Sequence, residues 1–379
     1  MSDWRLLVRN ADLDIVGELD DYQRLKFVHR FQDVTTGEIS ANRDVPVAAE
    51  LTTDGAGIVV LHDGEVVTSG PIIQPRREWS GAGDLLDLGF VSDDAWLLRR
   101  LGYPSPLDGN HSAAAYDVRT GAAETVLRAY VDANLGPSAL AARRIGLTLL
   151  PDEGRGASVT GRARFHPLLD VCRDLAISGG DLGFRIRQAG PTDPTTVGLL
   201  FEVYVPRDLT ATAIFSVDLG NLAGFDLEEK APDANYVLVG GQGEGAARTI
   251  VEGGDAGSIA RWGRIEAFRD QRDTGVVAEL EQSRDRELTE RASELSLEIS
   301  PVDTAAITYL VDYGLGDTVR TIIDGVAFDE IIREVTVTLE GGSAPTVEPK
   351  IGTPARGDLV GFFAAIRRVS GRISRLERS

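Results

Sequence analysis

Between Thr120 and Gln188 the chain carries two sharply bounded helical patterns, ETVLRAYVDANL and PLLDVCRDLA, and the second runs into a strand through SGGDLGFRIRQ. Everything before this stretch, and most of the chain after it, reads as short strands. A compact helical unit interrupting a β-rich chain fits a composite scaffold better than a single catalytic fold.

The boundaries of this unit come from local chemistry. Thr120 can cap the first helix, whose apolar face is Val126, Leu127, Tyr130, Val131 and Leu135, and Gly136-Pro137 ends it. Arg155-Gly156 lies in a turn-rich link. Phe165-His166-Pro167 then opens the second helix, with proline in the first turn where its missing N–H costs nothing, and Gly179-Gly180 stops it. Cys172 falls on the apolar side with Leu168, Leu169, Leu175 and Ala176, the setting of a buried, inert thiol.

Residues 1–110 read as a β unit with strands at Trp4–Val8, Leu25–Phe31, Val45–Leu51 and Asp84–Phe90. Its clearest signal is IVVLHDGEVVTSGPII, where two apolar runs flank Asp63-Gly64, a pair that accepts the positive φ of a tight hairpin. Ser92-Asp93-Asp94 begins a short helix, AWLLRRL, with acids at its positive end, and residues 102–106 (GYPSP) break it.

Past the helical unit, strands are expected at Gly183–Arg187, Leu199–Val205, Ala213–Val217 and Tyr236–Val239. A charged helix spans Val276 to Leu295 on a narrow stripe of Val277, Leu280, Leu288, Ala292 and Leu295. Leu297–Ile299 and Thr318–Leu339 return to β structure, with a second hairpin about Asp324-Gly325. One Asp-Gly hairpin near each end hints at two related barrels. Residues 340–357 read as a Gly/Pro-rich linker. In the helical tail, Phe362, Ile366, Val369, Ile373 and Leu376 form a heptad seam, and isoleucines on such a seam favour three strands over two. The tail's five arginines (Arg367, Arg368, Arg372, Arg375, Arg378) make it basic; self-association and docking on the parent domain are both open to it.

Charge and composition exclude several classes. With 39 basic against 59 acidic residues, a net charge of −20 repels nucleic acid and anionic lipid unless it is segregated. A single cysteine permits no intramolecular disulfide and no multi-cysteine zinc site. The first residues lack the basic-then-apolar order of a signal peptide, and no apolar run approaches the ~20 residues of a membrane span, so a soluble protein is expected.

No catalytic, cofactor or metal residues are assigned. The run Gly240-Gly241-Gln242-Gly243-Glu244-Gly245 leads into AARTIVEGG, a strand pattern, so no helix N-terminus would hold a pyrophosphate and a glycine-rich β turn is the better reading. His29, His62, His111 and His166 are scattered, with His62 placed in its hairpin and His166 at a helix start. The acidic pairs Asp20-Asp21 and Asp93-Asp94 could supply a glycosidase's acid and base only if set ~5–9 Å apart across a cleft. Among 59 acids such pairs arise by chance.

The ordered series of segments resembles the tail-tip or baseplate hub family of long-tailed phages, in the version found in siphophages of actinobacteria. It comprises GIVVLHDGEVVTSGPI, AAETVLRAYVDANLGPSALAARR, LLPDEGRGASVTGRARFHPLLDVCRDLAISGGDLGFRIRQ, LLFEVYVPRDLT, FSVDLGNLAGF, VLVGGQGEGAART, VAELEQSRDREL and DYGLGDTVRTIIDGV. The resemblance implies a β-rich α+β fold of two small tube-type β-barrels with α/β material between them. The implied domains are 1–110 (first barrel), 111–210 with 255–296 (α/β region) and 211–254 with 297–345 (second barrel), to which the chain's own pattern adds 346–379 (linker and amphipathic helix), outside the resemblance. It further implies a homotrimeric structural ring in the virion, assembled in the host cytoplasm. Tail-tube and distal tail proteins would lie above it and a spike or central fibre below. DNA would pass through its lumen without specific binding, with no cofactor, no catalysis and no stable membrane insertion. The rival reading is a tail-associated cell-wall hydrolase or peptidase with its site in the α/β segment.

Overall fold

A computed structural model describes residues 4–80, 83–190, 198–301, 307–341 and 343–352. Most described strands belong to one sheet. Its hydrogen-bonded path begins Leu222–Lys230, Glu294–Pro301, Thr346–Gly352, Val326–Glu340 and Tyr22–Arg30. It continues Thr36–Asn42, Gly83–Val91, Glu65–Ser80, Gly57–His62, Trp4–Arg9 and Ile15–Glu18. Thr318–Ile323 branches off Val326–Glu340 and pairs in turn with Ile214–Ser216. Among the described residues this path has two ends and closes no barrel.

One five-strand pattern occurs twice along it, in the same chain order. The first copy is Tyr22–Arg30, Thr36–Asn42, Gly57–His62, Glu65–Ser80 and Gly83–Val91; the second is Leu222–Lys230, Glu294–Pro301, Thr318–Ile323, Val326–Glu340 and Thr346–Gly352. In each, the long fourth strand pairs with the third through an Asp-Gly turn and then with the fifth. The fifth pairs with the second, and the second with the first. The registers coincide: Glu38 stands opposite Lys26 and Gly89, as Glu298 stands opposite Asp226 and Lys350. So do two of the irregularities, while the shift between Val60 and Leu61 in the first copy has no counterpart in the second. The register shift between Tyr22 and Arg24 recurs between Leu222 and Gly224, and that between Ile72 and Gln74 recurs between Ile332 and Glu334. Both turns put aspartate and glycine at positive φ, 50° and 87° for Asp63-Gly64, 51° and 76° for Asp324-Gly325, the geometry their sequence favours.

The copies meet where Tyr22–Arg30 pairs antiparallel with Val326–Glu340. Strand alternation sends Leu25, Phe27, Ile39, Leu88, Ile299, Val335 and Val337 into one shared core. Polar residues occupy the opposite face of the same strands.

A second core belongs to the α/β unit. It holds α1 (Ala95–Leu98), α2 (Ala123–Leu135) and α3 (Leu168–Ser178), an antiparallel two-stranded sheet of Asp117–Ala122 with Ser158–Ala163, and a sheet of Gly183–Gln188, Leu199–Tyr204 and Leu147–Leu149. The expected apolar face of α2 is buried, Gly136 and Gly179 end the two helices, and Cys172 lies fully buried with its thiol pKa pushed up by burial. A further unit fills 231–293, between the first two strands of the second copy. Its strands Tyr236–Gly240, Ile250–Gly254 and Glu266–Asp270 form their own sheet, with α4 (Ala256–Trp262) and α5 (Val277–Glu290). α5 docks on α3 through Arg286 and Asp174 at 3.1 Å.

Several expectations need correction. Val45–Leu51 is a run of turns ending in the 3-10 helix Glu50–Thr52, because Pro46 cannot join a ladder and its apolar side chains cap the core end. The strand lies instead at Thr36–Asn42. Thr120 caps nothing: it sits in a strand with its hydroxyl 3.0 Å from that of Thr160, and Ala122 precedes α2. Pro167 is the residue before α3, one place earlier than expected. α5 stops at Glu290, and Leu295 belongs to the strand Glu294–Pro301. Residues 346–352, read as linker, form a central strand whose Ile351 is buried. Residues 236–254, expected in the second barrel, belong to the inserted unit.

Candidate functional site

The α/β unit is joined to the first β copy, and to the strand Trp4–Arg9 paired beside it, by buried polar groups. Arg9 grips Asp93 through two bonds of 2.6 and 2.9 Å, and its Nη1 also donates to Gln188 Oε1 at 2.8 Å. Ser69 Oγ donates to Asp93 at 2.6 Å and accepts the Gln188 N–H at 2.7 Å. Gln32 Nε2 reaches across to the Leu182 carbonyl. Asp94, also buried, accepts the Ile186 N–H at 2.6 Å and the Ser92 hydroxyl at 2.8 Å. Burial raises the Asp94 carboxyl pKa to about 7 against the opposing pull of those two donors. From sequence alone Asp93-Asp94 are helix-start acids or a chance pair. In the fold they are the joint between two units, and neither caps α1. Asp20-Asp21 lies exposed and takes no part in this joint.

Beside Asp94 opens a cavity of about 360 Å³, walled by the end of Tyr22–Arg30, the sheet carrying Arg185 and Glu202, and the segment ending at Asp317. His29 Nδ1 lies 3.0 Å from the Tyr309 hydroxyl. Burial, reinforced by the Arg185 cation, drops the His29 pKa to about 3, so the imidazole is neutral. Burial pushes Glu202 upward, but Arg185 and Arg187 outweigh it and hold the carboxylate charged. Arg207 pairs with Asp317 at 2.6 Å. Each of these charges is matched within the chain, and among the lining residues no nucleophile stands against a base. The arrangement ties three units together. Among the described residues no three of His, Cys, Asp and Glu gather as metal ligands. His62 packs on Trp4 at the hairpin end, and His166 sits at the start of α3. The glycine run after Gly240 turns into the antiparallel strand Ile250–Gly254, with a 3-10 turn at Gly245–Ala247 between.

Among the described residues, each copy also leaves one strand edge open. Leu222–Lys230 is paired on one side only, by Glu294–Pro301. Residues 74–80 are paired only with Gly83–Val91. Their counterparts in the other copy, Tyr22–Arg30 and residues 334–340, pair with each other. No sequence signal marks these edges, because the repeat that reveals them is carried by register and not by residue identity. The seam residues Phe362, Ile366, Val369, Ile373 and Leu376 lie outside the described residues.

Residues 5–353 match the family described as Siphovirus ReqiPepy6 Gp37-like protein. No curated protein matches the chain significantly. Among solved structures, the tail protein from Neisseria meningitidis MC58 is 13% identical with a TM-score of 0.58, covering 92% of this chain and 96% of its own. The prophage tail protein gp18 from Listeria monocytogenes EGD-e is 10% identical with a TM-score of 0.55, covering 97% and 99%. The 43 kDa tail protein of prophage MuSo2 from Shewanella oneidensis is 10% identical with a TM-score of 0.57, covering 92% and 98%. At such identities these structures speak for the fold alone, whereas the family match spans nearly the whole sequence: the chain belongs to the Siphovirus ReqiPepy6 Gp37-like family.

Proposed function

We propose that this chain is the structural hub of a phage tail tip or baseplate, three copies of which form a ring between a sixfold tail tube and a threefold spike or fibre. The observation that carries the reading is the register-matched repeat. A chain holding two near-equivalent β units presents six of them as a trimer, while everything carried once per chain remains threefold. Each unit then serves as a tube-type barrel element completed in the assembly.

The polar face of the long sheet supplies a lumen. Glu38, Asp87, Glu334, Glu340 and Glu348 lie on it with Arg24, Lys26, Arg30 and Lys350, a small excess of acids. DNA passing such a wall gains little from counterion release and slides without sticking. The α/β and inserted units lie outside. The basic tail, with Phe362, Ile366, Val369, Ile373 and Leu376, gathers as a three-stranded seam toward the spike or fibre. Assembly takes place in the host cytoplasm, and the site of action is the virion.

Light scattering on the purified full chain tests the ring and is expected to give a threefold mass. A monomer at every concentration would sink it. A zymogram on actinobacterial cell wall should stay blank; clearing would favour the hydrolase reading. Removing residues 358–379 tests the seam, which is dispensable if the threefold mass persists.

A further inference from the structure

Equivalent positions in the two copies differ sharply in burial. Leu25 and Phe27 are 1% and 0% exposed, but Phe225 and Leu227, at the same places in the second copy, are 43% and 38% exposed. Leu339 is 5% exposed, whereas Trp79, its counterpart in the first copy, is 76% exposed. These differences share a cause. Leu25, Phe27 and Leu339 lie on the two strands that pair across the junction between copies, and the exposed three lie on the two strands whose matching edges are open.

We infer that Leu222–Lys230 of one chain pairs antiparallel with residues 74–80 of a second copy, in the register of the junction each chain already makes internally. The inference rests on the ring reading and names the surfaces that close it. At the internal junction Leu339 stands opposite Leu25, Val337 opposite Phe27, Thr336 opposite Val28 and Glu334 opposite Arg30. Carried to the open edges, that register sets Trp79 against Phe225, Arg77 against Leu227, Arg76 against Glu228 and Gln74 against Lys230. The first is an aromatic cross-strand pair and the third an opposite-charge pair, both favourable between strands. Arg77 is held by Asp84 at 2.6 Å, which leaves its alkyl stem to cover Leu227.

The same register has two weak points. Pro75, at the place of Val335, has no N–H and removes one bond from the ladder, a feature that also discourages indiscriminate pairing of this edge. Glu78 falls opposite Asp226, a like-charged pair. A second copy is the occupant because its own internal junction supplies both halves of the fit, residue for residue.

Cross-linking tests the register. Arg76 and Glu228 fall at a non-hydrogen-bonded pair, where Cα atoms sit about 4.5 Å apart, within reach of a disulfide. The native Cys172 is buried and does not compete. In the full chain, Arg76→Cys with Glu228→Cys should oxidise to two- and three-chain species on a non-reducing gel. Arg76→Cys with Asp226→Cys, slipped by two residues, should not. A threefold mass with no link, or with the slipped link, would overturn this pairing and leave the ring standing; a chain that stays monomeric would overturn both. Trp79→Glu, on an exposed site, should keep the melting temperature of the isolated chain and lose the threefold mass. Retention of that mass would overturn the inference.

Discussion

Arg9 Nη2 lies 2.6 Å from Asp93 Oδ1, and the two side chains are buried at the joint between the first β copy, with the strand Trp4–Arg9 paired beside it, and the α/β unit. Taking either partner away leaves a charge in low dielectric with no counterion. Arg9→Met should therefore cost ~3–5 kcal/mol, whereas Arg9→Met with Asp93→Leu should recover much of the loss, since well-packed apolar groups can replace a buried pair. Thermal unfolding of the two variants checks this. Equal melting of wild type and Arg9→Met would mean that the pair does not hold the units together.

Asp94 makes the same joint sensitive to pH. Its folded pKa, about 7, lies above the ordinary aspartate value of 3.8 because the carboxyl is buried. The native state thus holds a proton that the unfolded chain has released. That contribution is fully present below the unfolded value and is lost as pH rises through the folded one, with a slope of ~1.4 kcal/mol per pH unit between them. Facing Asp94 are Asp93, which raises the pKa, and Arg185, which lowers it. Melting temperatures from pH 5 to 7 should fall more steeply in wild type than in Asp94→Asn, and the two curves should run parallel above pH 8. Parallel curves throughout would refute a shifted Asp94.

Much of the local structure was legible in the sequence. Asp63-Gly64 and Asp324-Gly325 dictate their own turns, and α2 and α3 show their apolar faces and glycine stops because a helix satisfies its backbone within itself. Sheet order was not legible. Leu222–Lys230 finds its partner Glu294–Pro301 only across the inserted unit, and Thr346–Gly352 looks like linker because Pro349 and its flanking glycines mask a strand whose partners lie elsewhere in the chain. The joint was hidden for the same reason: nothing near Asp93 announces that Arg9, 84 residues earlier, will bury it.

Gly70 tests how tightly the long strand Glu65–Ser80 crosses the corner after Gly83–Val91. A Cβ there would sit 1.8 Å from the Val91 carbonyl oxygen and 2.8 Å from Ser92 Cα, both backbone atoms that cannot rotate away. Gly70→Ala should destabilise by at least the ~1–3 kcal/mol of an overpacked core. Gly224→Ala, where a Cβ meets nothing within 4 Å, should leave melting of the isolated chain unchanged. Equal effects of the two substitutions would show that the corner relaxes.

Glu78 offers a gain-of-function test of the inferred contact between copies. In the isolated chain it is exposed and pairs with Arg76 at 2.7 Å, an interaction worth ~0–1 kcal/mol at a surface. In the inferred register it faces Asp226 of the next copy, where like charges directly opposite are unfavourable. Glu78→Lys converts that repulsion to attraction at three symmetric contacts per ring. The threefold species should then persist to lower protein concentration than in wild type, by about 2-fold per ~1 kcal/mol gained over the ring, since a trimer's midpoint concentration varies as the square root of its dissociation constant, and the gain should shrink in high salt as the charges are screened. Sedimentation at two ionic strengths reads both effects. An E78K chain that assembles no better than wild type at low salt would place Asp226 elsewhere and the register with it.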